Sequence, residues 1–193
     1  MTNQPGGAAN VFTIGNGLTF ARLVLLPIII VGVVAGHGWV AAIAMMVVVL
    51  TDLLDGRIAR RLKEASAFGK TLDSTVDFVL IYSLFITFYA AGRLATYQFA
   101  FLYLAMLAIL SLQFFMTAQG AAAAVTTTAL GKATGALQYG YLLILAALEV
   151  LPHSRTAAML SLAVFALLAA AIVVSTIESV TIIAKTAGTK ERN

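Results

Sequence analysis

Asp52-Leu53-Leu54-Asp55-Gly56-Arg57-Ile58-Ala59-Arg60, followed after eight residues by Gly69-Lys70-Thr71-Leu72-Asp73-Ser74-Thr75-Val76-Asp77, is the most informative segment of the sequence. It holds all four aspartates of a 193-residue chain and lies between two long apolar runs. On a helix, Asp52 and Asp55 (i, i+3) share one face, as do Asp73 and Asp77 (i, i+4). The connection between them is short and basic, so the two helices are antiparallel neighbours and the four carboxylates can converge on one pocket. A single aspartate deep in a spanning helix costs about 2.5–3.5 kcal/mol. Four together rival the stability of a whole domain, so something must compensate them.

The chain as a whole is apolar: 61% hydrophobic and 10% charged, with a mean hydropathy of +0.99. Soluble domains carry about 25% charged residues, so a soluble globular protein is excluded. There is no cysteine, which excludes a disulfide framework, a thiolate metal site and a cysteine nucleophile. A spanning helix needs about 20 mostly apolar residues. Breaking the chain at glycine, proline and charge clusters gives six such stretches, 18–36, 39–61, 68–91, 97–118, 130–150 and 156–184. The reading is an all-α polytopic membrane protein, one domain over 1–193, with a cytoplasmic segment 1–17 and a cytoplasmic tail 185–193. Residues 1–17 have no basic region, so a cleaved secretory signal is not expected.

Lysine and arginine counting sets orientation. With the N-terminus inside, Arg57, Arg60, Arg61, Lys63, Lys70, Lys132, Lys185, Lys190 and Arg192 fall on cytoplasmic segments, against Arg93 and Arg155 outside. That split predicts N-in and C-in. It also explains the net charge of +4 without any nucleic-acid partner. The outer turns are short, so polar chemistry belongs on the cytoplasmic side of an integral protein of the cell membrane.

Oxygen-only ligands suit hard cations such as Mg²⁺ or Mn²⁺, and no His or Cys lies near the aspartates to recruit zinc. Two divalent cations sharing carboxylates form a clamp suited to phosphoryl chemistry. Gly56, Ala59 and Gly69 keep the helices free of bulk beside the acids, so a phosphate-bearing ligand can approach the backbone. Arg60, one turn beyond Gly56, offers a forked donor.

The fixed positions Asp52, Asp55, Gly56, Ala59, Arg60, Gly69, Asp73 and Asp77 match the signature of the CDP-alcohol phosphatidyltransferase family, which this chain resembles most clearly over its second and third spans. The resemblance implies metal-dependent transfer of a phosphatidyl group from CDP-diacylglycerol to an alcohol, with release of CMP. It implies that Asp52, Asp55, Asp73 and Asp77 ligate two divalent cations. Asp77 would also be the general base, and Gly56, Ala59, Arg60 and Gly69 would line the cytidine-diphosphate site. It implies a homodimer as well.

Asn16-Gly17-Leu18-Thr19 with Arg22 and Pro27 resembles the N-terminal signature of the phosphatidylglycerophosphate synthases within that family, and Gly131-Lys132-Ala133-Thr134 with Gln138 resembles their fifth-span segment. Lys70, Lys132, Arg22 and Gln138 are the residues this suggests for the acceptor, with glycerol 3-phosphate leading. The same subgroup implies an arginine in the fourth span and a lysine after the fourth aspartate, where this chain has Ser111–Thr117 and Phe78. Inositol phosphate, serine, choline or a lipid alcohol are therefore alternatives, and Gln113, Thr117, Gln119 and Gln138 could bond an uncharged acceptor.

The plainer readings are concrete. The aspartates could be a protonated cluster joining helices, or a proton or cation pathway in a transporter. Arg22 could be an arginine snorkelling to the interface. Glu149 and Glu178 read as interfacial or helix-pairing groups, His37 and His153 as solvated, and Tyr97, Phe99, Phe101 and Tyr103 as interface or lipid-facing aromatics.

Overall fold

The computed structural model describes residues 14–62, 67–118, 129–151 and 155–190, without the side chains of 14–16, 55–62, 67–71, 112–118, 129 and 182–190. Among these residues the chain is all helix: α1 (Ile14–Val34), α2 (Gly38–Leu62), α3 (Ala67–Ala90), α4 (Thr96–Ala118), α5 (Ala129–Leu148) and α6 (Arg155–Lys190). The six apolar stretches read from sequence coincide with these six helices. The largest difference is at the far end of α6, whose 36 residues run to Lys190.

Among the described residues, three helices are long and apolar enough to cross a membrane by length and composition, over Gly17–Val34, Leu72–Ala90 and Arg155–Thr181, and the described parts of α2 and α4, Gly38–Leu54 and Thr96–Ser111, are apolar too. In α5, Lys132, Thr134 and Gln138 dilute the apolar run of the first half.

Two of the connections are glycine-capped. At the end of α1, His37 N–H donates to Gly32 O at 2.7 Å and Gly36 N–H to Val33 O at 3.2 Å, and Gly36 has φ 72°. At the end of α3, Arg93 N–H donates to Phe88 O and Gly92 N–H to Tyr89 O, with Gly92 at φ 73°. Both are Schellman motifs, which satisfy orphan carbonyls and need a residue free to adopt the left-handed region. The tight first turn lets α1 and α2 approach closely: a Cβ on Gly32 would fall 2.9 Å from the Ala41 nitrogen.

In the bundle, α1 packs on α2 and α3, α5 packs on α2, α3 and α6, and α4 lies against α3 and α6. The core follows helical stripes. Leu26, Ile29 and Val33 come from α1, Ala41, Met45 and Val48 from α2, Leu80, Leu84 and Phe88 from α3, and Leu142, Leu145 and Ala146 from α5. Large apolar side chains also face outward, among them Val24, Trp39, Ile43, Leu104, Met159 and Ile177. A surface apolar on the outside as well as the inside is what lipid-facing helices require.

Candidate active site

Each core stripe, followed to the same end of the bundle, runs out into a polar residue. One turn from Leu26 stands Arg22, one turn past Val48 stands Asp52, one turn before Leu80 stands Asp77, and one turn before Leu142 stands Tyr139. The packing that aligns the apolar stripes therefore brings these four side chains together. Asp73 lies one turn beyond Asp77 on the same face of α3.

The centre is the guanidinium of Arg22, which is wholly buried. Its Nη2 donates to Asp73 Oδ1 at 2.5 Å, and its Nη1 donates to Asp77 Oδ1 and lies 3.4 Å from Asp52 Oδ1. Thr19, one turn earlier on α1 and also buried, has its hydroxyl 3.5 Å from Asp73 Oδ1 and 3.5 Å from Arg22 Nη2. From α5, the Tyr139 hydroxyl donates to Asp77 Oδ1 at 2.6 Å. The aspartates are not sealed in: the side chains of Asp52, Asp73 and Asp77 are 36%, 43% and 26% exposed. Arg22 thus holds the cluster from behind, and the carboxylates face the open side.

A buried guanidinium without partners would cost several kcal/mol, so its burial depends on the acids around it. Among the described residues one positive charge faces these three carboxylates, and every bond to them ends on an Oδ1 atom. Among the described residues, which do not include the Asp55 side chain, no three acids or histidines are spaced to hold one metal ion as they stand. The chemistry of the donor set nevertheless fits hard divalent cations: oxygen ligands only, and a second oxygen on each half-exposed carboxylate.

Of the residues singled out from sequence, Asp52, Asp73, Asp77 and Arg22 come together here. Arg22 is not a snorkelling arginine, because it points into the carboxylates and not toward an interface. Asp55, Gly56, Ala59 and Arg60 lie on α2, and Gly69 and Lys70 on α3, with side chains outside the described residues. Gln113 and Thr117 on α4 are likewise outside them, as is Gln119. Lys132 is exposed and Gln138 half-buried on α5. Lys132 lies seven residues before Tyr139 and so on its face of the helix, with Gly135 between them and nothing within 4 Å of a Cβ placed there.

Tyr139 was not legible as a site residue. The sequence pattern drew attention to its neighbour Gln138, and a tyrosine within an apolar helix carries no spacing signal of its own. Of the aromatics of α4, Tyr97 and Tyr103 are exposed, as expected, whereas Phe99 and Phe101 also make contacts between helices. Phe99 stacks on Tyr89 with centroids 4.3 Å apart, and Phe101 meets Phe165 edge-on at 6.0 Å, so both bind helix to helix. Glu149, just past the end of α5, pairs with the α3–α4 turn, accepting from Arg93 Nε and Nη2 at 2.7 and 2.8 Å.

A helical bundle that is apolar on the outside as well as the inside, with a half-exposed carboxylate cluster round a buried arginine, is of the membrane class and carries one polar site at one end. Comparison with known proteins gives the family. The model of the CDP-alcohol phosphatidyltransferase family matches residues 12–183, and the chain belongs to that family. Among similar curated proteins, one of Drosophila melanogaster named probable cardiolipin synthase (CMP-forming) is 43% identical over 79 residues, 40% of this chain and 24% of that protein. A CDP-diacylglycerol--glycerol-3-phosphate 3-phosphatidyltransferase of Salmonella choleraesuis is 34% identical over 73 residues, 36% of this chain and 40% of that protein. The matches span well under half the length of these relatives.

Proposed function

We propose that this chain transfers a phosphatidyl group from CDP-diacylglycerol to an alcohol, releasing CMP, with glycerol 3-phosphate as the acceptor. The observation that carries the reading is the gathering of Asp52, Asp73 and Asp77, at the family's spacing, into one half-exposed cluster. Asp52, Asp55, Asp73 and Asp77 would hold two divalent cations, Mg²⁺ or Mn²⁺. Such cations, when bound, neutralise the pyrophosphate and the charge developing on the departing CMP.

The chain's own residues do the rest. Gly56, Ala59, Arg60 and Gly69 take the cytidine diphosphate. Asp77 accepts the proton of the acceptor hydroxyl as its oxygen attacks the phosphatidyl phosphorus, while the bond from that phosphorus to the CMP oxygen breaks. Arg22 and Thr19 fix the carboxylates from the buried side. Lys132, exposed on the face of α5 that also bears Tyr139, meets the phosphate of the acceptor, with Lys70 and Gln138 as further partners. All six helices span the membrane with both termini cytoplasmic, the site faces the cytoplasm, and the working unit is a homodimer.

A lipid alcohol is the second reading. The name of the Drosophila relative favours it, as does the absence of an arginine from the described part of α4. The test is CMP release by purified protein in liposomes with Mg²⁺ or Mn²⁺ across glycerol 3-phosphate, inositol phosphate, serine, choline and a lipid alcohol. Metal-dependent release with glycerol 3-phosphate supports the proposal. Release with another acceptor alone corrects the acceptor. No release and no binding of CDP-diacylglycerol overturns the reaction, and ion flux then becomes the assay.

A further inference from the structure

We propose that Tyr139 is a positioning residue for this reaction: its hydroxyl, donated across the α3–α5 contact to Oδ1 of Asp77, holds that carboxylate with Oδ2 presented to the acceptor alcohol. The proposal rests on the transfer reading above and adds a residue to which no motif points.

Tyr139 is 6% exposed, and a buried tyrosine hydroxyl usually finds a partner. Several threonine hydroxyls in the helices take the carbonyl one turn back, as Thr134 does with Leu130 at 2.9 Å and Thr176 with Ile172 at 2.8 Å. The ring of Tyr139 carries its hydroxyl too far from its own backbone for that. It reaches instead a carboxylate 62 positions away in the chain, at 2.6 Å, a length typical of strong charge-assisted bonds.

The bond also falls on a particular atom. Arg22 and Tyr139 approach Asp77 from different helices and converge on the same oxygen, Oδ1. Rotating the carboxylate would break both contacts. Among the described residues Asp77 is thus the only one of these three aspartates with donors from two other helices, since the bonds from described residues to Asp52 and Asp73 come from α1. Its Oδ2 has no bond to any described residue. A group that must take a proton from a bound alcohol needs one oxygen fixed and the other free, because small misplacements of a reacting group cost about a hundredfold in rate. The face of α5 leading to Tyr139 is open at Gly135 and carries Lys132, so an acceptor held there is brought toward this carboxylate.

The test is Tyr139→Phe, which keeps the ring and removes only the hydroxyl, made in the full chain and measured in liposomes beside wild type. Turnover should fall about tenfold to a hundredfold, with the KM for CDP-diacylglycerol and the affinity for Mn²⁺ each within about twofold of wild type. The deciding readout is the ratio of lipid product formed to CMP released. A loosened Asp77 activates the alcohol less well while water still attacks, so this ratio should drop, and a loss of folded protein cannot change it. Turnover and ratio both equal to wild type would overturn the role. So would a fall in turnover at an unchanged ratio, which would mark Tyr139 as packing only. If wild type itself releases no CMP with any acceptor, the reaction reading and this role fall together, whereas an active wild type matched by Tyr139→Phe removes this role alone.

Discussion

Arg22 and Asp73 stand 51 residues apart in the chain and meet at 2.5 Å, the first wholly buried and the second 43% exposed. That difference makes the ion pair directional: the cation lies inside the bundle and the anion opens outward. Asp52 and Asp77 share the arrangement, so Arg22 acts as a resident counter-charge which, among the described residues, faces three carboxylates.

Replacing Arg22 with Leu should therefore destabilise the fold and make it depend on added cation. Removing one partner of a buried charged network costs about 3–5 kcal/mol, here because the carboxylates lose their shared donor. The melting temperature in detergent should fall, and the gap between Mg²⁺ and EDTA should widen relative to wild type. Arg22→Lys should recover only part of the loss, since an ammonium cannot fork to Asp73 and Asp77 together. An unchanged gap for Arg22→Leu would show that Arg22 and cations do not share the carboxylates.

Asp77 and Asp52 should fail differently. Asp77→Asn should abolish turnover while CDP-diacylglycerol still binds with metal present, because the amide keeps the size and loses the basic oxygen. Asp52→Asn should weaken Mn²⁺ and nucleotide binding together, since it removes a ligand and not a base. Equilibrium binding of Mn²⁺ and of CDP-diacylglycerol, beside CMP release, separates the two, and retained turnover in Asp77→Asn removes Asp77 as base.

How far these roles were readable from sequence differs residue by residue, for a physical reason. The six helices follow from apolar length, and the aspartates from a spacing that helix geometry converts into a shared face. Thr19 and Arg22 were visible as an i, i+3 pair, but snorkelling or turning inward depends on how α1 packs on α3, which the pattern of α1 alone does not contain. Tyr139 lies one step further off. Its importance exists only once α5 is seated so that the stripe through Leu142 faces the core, and that seating is a property of the bundle. Phe99 and Phe101 show the same limit: their partners Tyr89 and Phe165 sit on other helices.

Gly92 tests the turn chemistry apart from the site. At φ 73° it adopts the left-handed conformation, in which a Cβ costs about 1–2 kcal/mol. A Cβ there meets nothing within 4 Å, so the effect of Gly92→Ala should be conformational alone. Melting should shift down while the KM for CDP-diacylglycerol stays that of wild type. An unchanged melting temperature would mean the α3–α4 turn relaxes without strain.

Arg93 and Glu149 tie the α3–α4 turn to the end of α5, at the opposite end of the bundle from the aspartates, and the two partners are not equally placed. The Glu149 side chain is 3% exposed and that of Arg93 35%. The backbone of Gly38 presses on the same point, where a Cβ would lie 2.9 Å from that of Glu149. Glu149 is thus the buried member, held by a two-pronged guanidinium that reaches solvent. Arg93→Met should cost about 1–3 kcal/mol, because it strands a buried carboxylate. Adding Glu149→Gln to that variant should restore part of the loss, since an amide is less costly to bury unpaired than a charge. The order of melting temperatures should be wild type, then the double variant, then Arg93→Met, with CMP release per folded protein the same in all three. A double variant less stable than Arg93→Met would show that the ion pair does not set the energetics of this end, and that the packing of Gly38 against Glu149 does.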